Sequence, residues 1–185
     1  MEHLGTKELE TERLILRRFT IDDAEKMFNN WANDDEVTKY LIWQPHKDIN
    51  VTIDFIKECM KKYENDDFYD WVIILKEINE PIGSMGVVKQ SDDLKMVHIG
   101  YCIGKKWWNK GITSEALNAL IKFFFEKVGV NRIESRHDPD NPNSGKVMAK
   151  CGMKYEGHIR QADRNNQGIV DYIEYGILAE DYFIK

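Results

Sequence analysis

Apolar residues in this chain repeat with two different periods, and the change of period divides the sequence into strands and helices. Alternating or continuous apolar runs predict strands at 14–19, 70–76, 81–89, 96–103, 132–137, 153–159 and 170–178. Apolar positions at helical spacing predict helices over 22–31, 50–63, 113–128 and 144–151. A short helical or irregular stretch occupies 37–43, so the predicted order is β-α-α-β-β-β-α-β-α-β-β.

The three consecutive strands between residues 70 and 103 limit the choice of fold. A doubly wound nucleotide-binding sheet alternates strands with helices, so this run excludes it. The phosphate-loop spacing G-x-x-x-x-G-K-[ST] is also absent around Gly104 and Gly111. We therefore predict an α+β fold with a mixed, largely antiparallel sheet of about seven strands and about four flanking helices. The 185 residues are expected to form one domain, 1–185, in which 1–10 is a flexible or peripheral tail.

Charge and cysteine content narrow the classes of function. A net charge of −6 disfavours a nucleic-acid binder and is compatible with cationic substrates such as amines. Cys59, Cys102 and Cys151 form no CxxC pair, which favours a reducing compartment. The N-terminus has no signal-peptide pattern, and no apolar run reaches the roughly 18 residues that span a bilayer. We expect a cytoplasmic protein that binds neither membrane nor nucleic acid.

The segment 107–116, WWNKGITSEA, carries the strongest functional signal, because it joins a predicted strand to a long amphipathic helix. Unpaired backbone N–H groups and the positive end of the helix dipole meet at such a junction, which suits a phosphate or pyrophosphate. Gly111 allows a sharp turn and a close approach of ligand, and Thr113 is the expected N-cap. An ordinary strand–helix connector is the alternative interpretation of this segment alone.

A second motif lies about thirty residues downstream: Asn141-Pro142-Asn143-Ser144 with 147–153 (VMAKCGM). Its presence favours the phosphate-binding interpretation of 107–116 over the ordinary connector. Together the two motifs and the element order resemble the GNAT superfamily of acyl-CoA N-acyltransferases. The ribosomal-protein N-terminal (Rim-type) branch is the most similar, and the resemblance extends from Glu10 to Tyr182. It implies the α/β/α sandwich of that family and acetyl-CoA as co-substrate, with no metal.

The resemblance also assigns site residues. Cofactor contacts fall on Tyr101, Cys102, Ile103, Trp108, Asn109, Lys110, Gly111, Ile112, Thr113, Ser114, Asn141 and Ser144. This chain departs from the family pattern at three places: Trp108 replaces Gln or Arg, Thr113 replaces Gly or Ala, and Met148 stands where many members have a Tyr general acid.

The implied catalytic residues are Ser144, His98 and Tyr101. Ser144 would return a proton to the thiolate, and the strand at Tyr101 would supply an N–H to the oxyanion. His98 takes the place of the family's usual Glu base, although it also fits a packed strand residue; Asp70 and Glu134 are alternative bases. For Asn141 and Ser144 the alternative is a turn and a helix cap.

The sequence does not decide which class of amine accepts the acetyl group. A protein N-terminus, such as that of a ribosomal protein, fits a weak base, since an α-amine has a pKa of about 8 and lysine about 10.4. Polyamines, amino acids and aminoglycosides are alternatives, as is a non-catalytic CoA-binding module. Trp31, Tyr40 and Trp43 fit either the acceptor cleft or a helical core face. A homodimer is the default expectation for assembly.

Overall fold

Eight strands form a single sheet in the computed structural model, which describes residues 1–184. The strands are β1 (Leu9–Glu10), β2 (Leu14–Arg17), β3 (Asp70–Leu75), β4 (Glu80–Ser91), β5 (Met96–Ile103), β6 (Arg132–His137), β7 (Lys154–Asn165) and β8 (Gly168–Leu178). Their spatial order is β1-β2-β3-β4-β5-β6-β8-β7. Neighbours are antiparallel except β5 and β6, which run parallel. The predicted mixed, largely antiparallel sheet is confirmed, with one strand more than expected.

The helices lie on both faces of this sheet, as the α/β/α prediction requires. They are α1 (Ala24–Met27), α2 (Asp35–Thr38), α3 (Ile49–Lys62), α4 (Ile112–Phe123), α5 (Pro142–Lys150) and α6 (Ala179–Phe183). Two of them, α1 and α4, continue into π-helical turns at Phe28–Ala32 and Phe124–Val128. Within residues 1–184, no helix combines the length and apolarity needed to cross a bilayer.

Two apolar cores fix the helices to the sheet. On one face, Leu117 and Leu120 of α4 belong to the same buried apolar cluster as Val97 and Ile99 of β5. On the other face, α1 and α3 cover β2 and β3 around Trp31, whose exposed fraction is 0%. Trp31 is therefore a core residue and not part of an acceptor cleft. β5 lies between the two helical layers, with Val97 in one core and Cys102 packed against the other.

The N-terminal segment, expected as a flexible or peripheral tail, is tied to the domain by backbone hydrogen bonds. Glu2 N–H donates to Val128 C=O at 2.8 Å, and Gly5 N–H donates to Asp66 C=O at 2.6 Å. The buried Thr6 hydroxyl donates to Phe68 C=O at 3.0 Å. The segment then pairs with β2 as β1, which accounts for the additional strand.

Candidate active site

A cleft opens where the two parallel strands β5 and β6 separate. They pair only from Met96–His98 to Arg132–Glu134. One residue further along, the Ser135 hydroxyl donates to Ile99 C=O at 2.8 Å and closes the narrow end. Beyond this point the β5 edge faces a cleft of about 560 Å³, which Gly100, Tyr101, Cys102 and Ile103 line. An open strand edge of this kind can pair with an extended ligand.

The loop between β5 and α4 and the first turn of α4 line the cleft with all of the residues from Trp107 to Ser114. Asn109 and Gly111 have φ values of +60° and +73°, so the chain turns through the left-handed region twice. The first backbone bond of α4 runs from Glu115 N–H to Gly111 C=O at 3.1 Å. The N–H groups that precede it at the helix start are those that helix geometry leaves for an external acceptor. Gly111, not Thr113, is the N-cap residue; the prediction for Thr113 is wrong because the helix begins at Ile112, which places Thr113 in its first turn.

Two cations from distant parts of the chain flank this turn. A Cβ added at Gly111 would lie 3.6 Å from Arg13 Nη2 and 3.8 Å from Lys150 Nζ. Arg13 is held there because its Nε donates to Glu115 at 2.6 Å and its Nη1 donates to Lys110 C=O at 3.0 Å. Helix N–H groups beside two cations fit a pyrophosphate. The sequence analysis missed both Arg13 and Lys150, since nothing local to either residue indicates its approach to Gly111.

Trp108 has a local role that accounts for its place in the loop. Its indole N–H donates to Ile103 C=O at 2.8 Å, and the side chain keeps 38% of its surface exposed. This bond fastens the loop to the last residue of β5. The change from the family's Gln or Arg therefore leaves the backbone of the loop in position.

Asn141, Ser144 and Tyr101 meet at the start of α5. Asn141 Nδ2 donates to Ser144 Oγ at 3.0 Å, and the Tyr101 hydroxyl donates to Ser144 C=O at 3.0 Å. Burial raises the pKa of Tyr101, so its hydroxyl serves as a neutral hydrogen-bond donor. Ser144 Oγ acts as an acceptor from Asn141, and among residues 1–184 no group takes up its proton. The arrangement presents one serine hydroxyl to the cleft with its proton available.

Two other residues of the motifs have no free polar group to offer. Met148 is 1% exposed and packs in the core, so the Tyr general acid of many family members has no counterpart there. Cys102 lines the cleft, but its side chain contacts Ser84 Oγ at 3.4 Å, and burial raises the pKa of its thiol to about 11. The thiol therefore stays protonated at neutral pH and is a poor nucleophile.

His98 lies apart from the other predicted catalytic residues. It is 6% exposed, is not among the residues that line the cleft, and places Nδ1 3.3 Å from Glu134 Oε1. The His98 bond and the Arg132 guanidinium lower the pKa of Glu134 to about 2. The structure thus joins the buried His98 to the partly buried Glu134 and does not bring either residue into the lining of the cleft.

The cleft is roofed by α2 and the residues that follow it, and the tip of the β7–β8 hairpin is fastened to this segment. Glu36, Val37, Tyr40 and Leu41 line it from above, and the Tyr40 hydroxyl donates to Asp140 C=O at 3.0 Å. Asn166 fixes the hairpin tip by donating from Nδ2 to the carbonyls of Thr38 and Trp43 at 2.8 and 2.7 Å. Tyr40 is thus a cleft residue, whereas Trp43 packs against the core beneath α3.

Comparison with known proteins identifies this arrangement. A family described as the acetyltransferase (GNAT) domain matches residues 13–154. The chain belongs to the GNAT acetyltransferase family. Acetyl-CoA-dependent N-acetyl transfer is therefore its activity.

Three known proteins are similar to this GNAT chain over most of its length. An uncharacterized N-acetyltransferase of Bacillus licheniformis, p20, is 32% identical over 174 residues, covering 94% of this chain and 97% of p20. A ribosomal protein uS5-alanine N-acetyltransferase of Escherichia coli (strain K12) is 28% identical over 160 residues, covering 82% of this chain and 80% of that enzyme. The microcin C7 self-immunity acetyltransferase MccE, solved in complex with acetyl-CoA and AMP, shares the fold with a TM-score of 0.81 at 23% identity, covering 91% of this chain and 93% of MccE.

Proposed function

We propose that this GNAT enzyme transfers acetyl from acetyl-CoA to the N-terminal α-amine of a protein, with a ribosomal protein as the expected kind of acceptor. The observation that carries the transfer step is the Ser144 hydroxyl in the cleft, which accepts from Asn141 while the Ser144 carbonyl accepts from Tyr101. The relative that acts on the alanine of ribosomal protein uS5 supports the acceptor class.

The residues of the cleft fit acetyl-CoA. The N–H groups at the start of α4, with Arg13 and Lys150, would hold the pyrophosphate. The free edge of β5 from Tyr101 to Ile103 would pair with the pantetheine arm, and Asn141 would bind one of its amides. Bound acetyl-CoA supplies the thioester from which the acetyl group is transferred. Ser144 would donate a proton to the departing sulfur.

The cleft carries charges of both signs. Glu36, Asp138 and Asp140 line it together with Lys110, Arg136, Lys146 and Lys150. The carboxylates would attract the ammonium group of an acceptor, and the cations would attract the phosphates of acetyl-CoA. Together with the three free thiols, which favour a reducing compartment, this is consistent with a cytoplasmic enzyme that acts on protein amines.

The proposal is tested by thiol release from acetyl-CoA across an amine panel. The panel contains peptides with free N-termini, the same peptides N-blocked but carrying lysine, and polyamines and aminoglycosides. We expect turnover confined to the free N-termini. Turnover on the small amines alone would contradict the acceptor class, and thiol release with no amine would contradict both.

A further inference from the structure

One row of aligned residues crosses the sheet on the face opposite α4, and it ends in the carboxyl group of Asp70, which the sequence offered only as one of several alternative bases. Asp70 of β3 is the register partner of Gly86 of β4, and Gly86 is the partner of Gly100 of β5. Gly100 lines the cleft at the point where β5 loses its partner strand. All three residues keep part of their surface exposed. The row therefore leads from the open edge of β5 directly to Asp70.

Gly86 allows the Asp70 carboxyl group to lean across β4. A Cβ added at Gly86 would lie 2.8 Å from Asp70 Oδ1, closer than real Cβ contacts come, so the carboxyl oxygen occupies the place of a side chain. The carboxyl group is near enough to Cys102 to influence its thiol, and Cys102 lines the cleft. Asp70 is not itself among the residues that line the cleft; its carboxyl group lies on the face opposite α4, next to Cys102, which does line it.

The surroundings of Asp70 leave its carboxyl group free to exchange a proton. Its nearest side-chain partner is the Cys59 thiol of α3, whose Sγ lies 3.7 Å from Oδ2. Burial raises its pKa to about 7, while the Cys59 contact, the Trp71 N–H and Lys62 act in the opposite direction. The other ionisable groups that face it are the phenol of Tyr63, which follows α3, and the Cys102 thiol of β5, and burial keeps both protonated. A general base works best when its pKa is near the working pH.

We propose that Asp70 is the general base that takes the proton from the acceptor amine. This inference rests on the proposed function, because it assigns a group to the same site. The Asp70 carboxylate takes one proton from the acceptor ammonium, and the neutral nitrogen forms a bond to the thioester carbonyl carbon. The carbon–sulfur bond breaks, the sulfur leaves as a thiolate, and the proton that the new amide nitrogen gives up reaches the sulfur through Ser144. Asp70 then returns its proton to solvent.

The first experiment is the pH profile of kcat/KM for the best acceptor in wild type and in Asp70→Asn, a nearly isosteric change. General bases contribute about 10²- to 10⁴-fold. We expect Asp70→Asn to lose on the order of 100-fold at pH 7, to lose less above the amine pKa of about 8, and to keep the KM for acetyl-CoA. Wild type should show a limb that rises with pH near 7, since Asp70 must be ionised, and Asp70→Asn should lack it.

The matched control is Glu174→Gln. Glu174 lies on the same face of the sheet in β8, opposite Arg136, and burial with the nearby Glu134 raises its pKa to about 7 as well. We expect Glu174→Gln to keep the rise of kcat/KM with pH near 7. Loss of the limb in Glu174→Gln but not in Asp70→Asn would overturn the assignment.

Two substitutions at Cys59 test the assignment without altering the base itself. The Cys59 contact lowers the pKa of Asp70, so Cys59→Ala should move the limb to higher pH and Cys59→Ser to lower pH. A limb that stays in place in both variants would contradict the proposal.

Carbon-13 NMR of labelled aspartate, compared between wild type and Asp70→Asn, measures the titration of Asp70 directly. A midpoint for Asp70 below about pH 5, near the ordinary value for Asp, would also overturn the proposal.

Failure of the inference and failure of the proposed function give different results. Normal turnover with an unchanged pH profile in Asp70→Asn would refute the role of Asp70 and leave the proposed function unaffected. Turnover on no amine contradicts the proposed function, and the role of Asp70 fails with it.

Discussion

Replacement of Gly111 by alanine tests whether the β5–α4 loop holds an anion. Gly111 has a φ of +73°, where a side chain costs about 1–2 kcal/mol. The new Cβ would lie 3.6 Å from Arg13 Nη2 and 3.8 Å from Lys150 Nζ, in the space where we place the pyrophosphate. The methyl group should therefore both strain the loop and push a phosphate oxygen away from its donors.

The size of the binding effect follows from the bonds at risk. A hydrogen bond to a charged group contributes about 1.5–3 kcal/mol. Loss of one such bond corresponds to a roughly 10- to 100-fold higher Kd for CoA, since each 1.4 kcal/mol is about tenfold. Isothermal titration calorimetry with CoA measures this effect, and thermal unfolding without ligand measures the strain.

Gly129→Ala is the matched control for strain. Gly129 has a φ of +74°, and a Cβ there would meet nothing within 4 Å. Both variants should lose a similar free energy of unfolding, and only Gly111→Ala should bind CoA more weakly. Equal CoA affinity in wild type and both variants would refute the placement of the pyrophosphate at this loop.

Three further predictions concern the remaining polar groups. Asn141→Ala should raise the KM for acetyl-CoA in steady-state kinetics; an unchanged KM would contradict its contact with pantetheine. Ser144→Ala should lower kcat more than it raises KM, because the cleft loses its proton donor, whereas equal changes in both constants would indicate a role in binding. Glu174 retains a proton in the folded state between its ordinary pKa of 4.5 and about 7, so its contribution makes stability fall as pH rises through that window. Glu174→Gln should reduce this fall in unfolding experiments at pH 5 and pH 8, and an unchanged difference would contradict the raised pKa.

Local signals made most of the fold predictable, and they located half of the residues that form the candidate site. The periods of apolar residues located the strands from β2 to β8, and Gly129 and Gly152 marked helix ends at positive φ. The β1 strand was missed because two residues are too few to show a period. The loop at Gly111 and the start of α5 were found because turn residues and caps act within a few positions of sequence.

The sequence could not predict where side chains lie when pairing between distant strands sets their positions. His98 was a plausible base from its place two residues before Gly100, yet Glu134 of β6 holds it outside the cleft. Arg13 reaches Gly111 only because the β1–β2 connection lies beside α4. Asp70 was one of several candidate bases until the register with Gly86 showed where its carboxyl group points.

The most direct test of the central claim is the position of the acetyl group on a single acceptor. A peptide with both a free N-terminal alanine and an internal lysine would be incubated with the enzyme and acetyl-CoA, and fragmentation mass spectrometry would locate the label. The account predicts acetyl on the α-amine, formed together with one free thiol. Acetyl on the lysine side chain, or thiol release with an unmodified peptide, would contradict it.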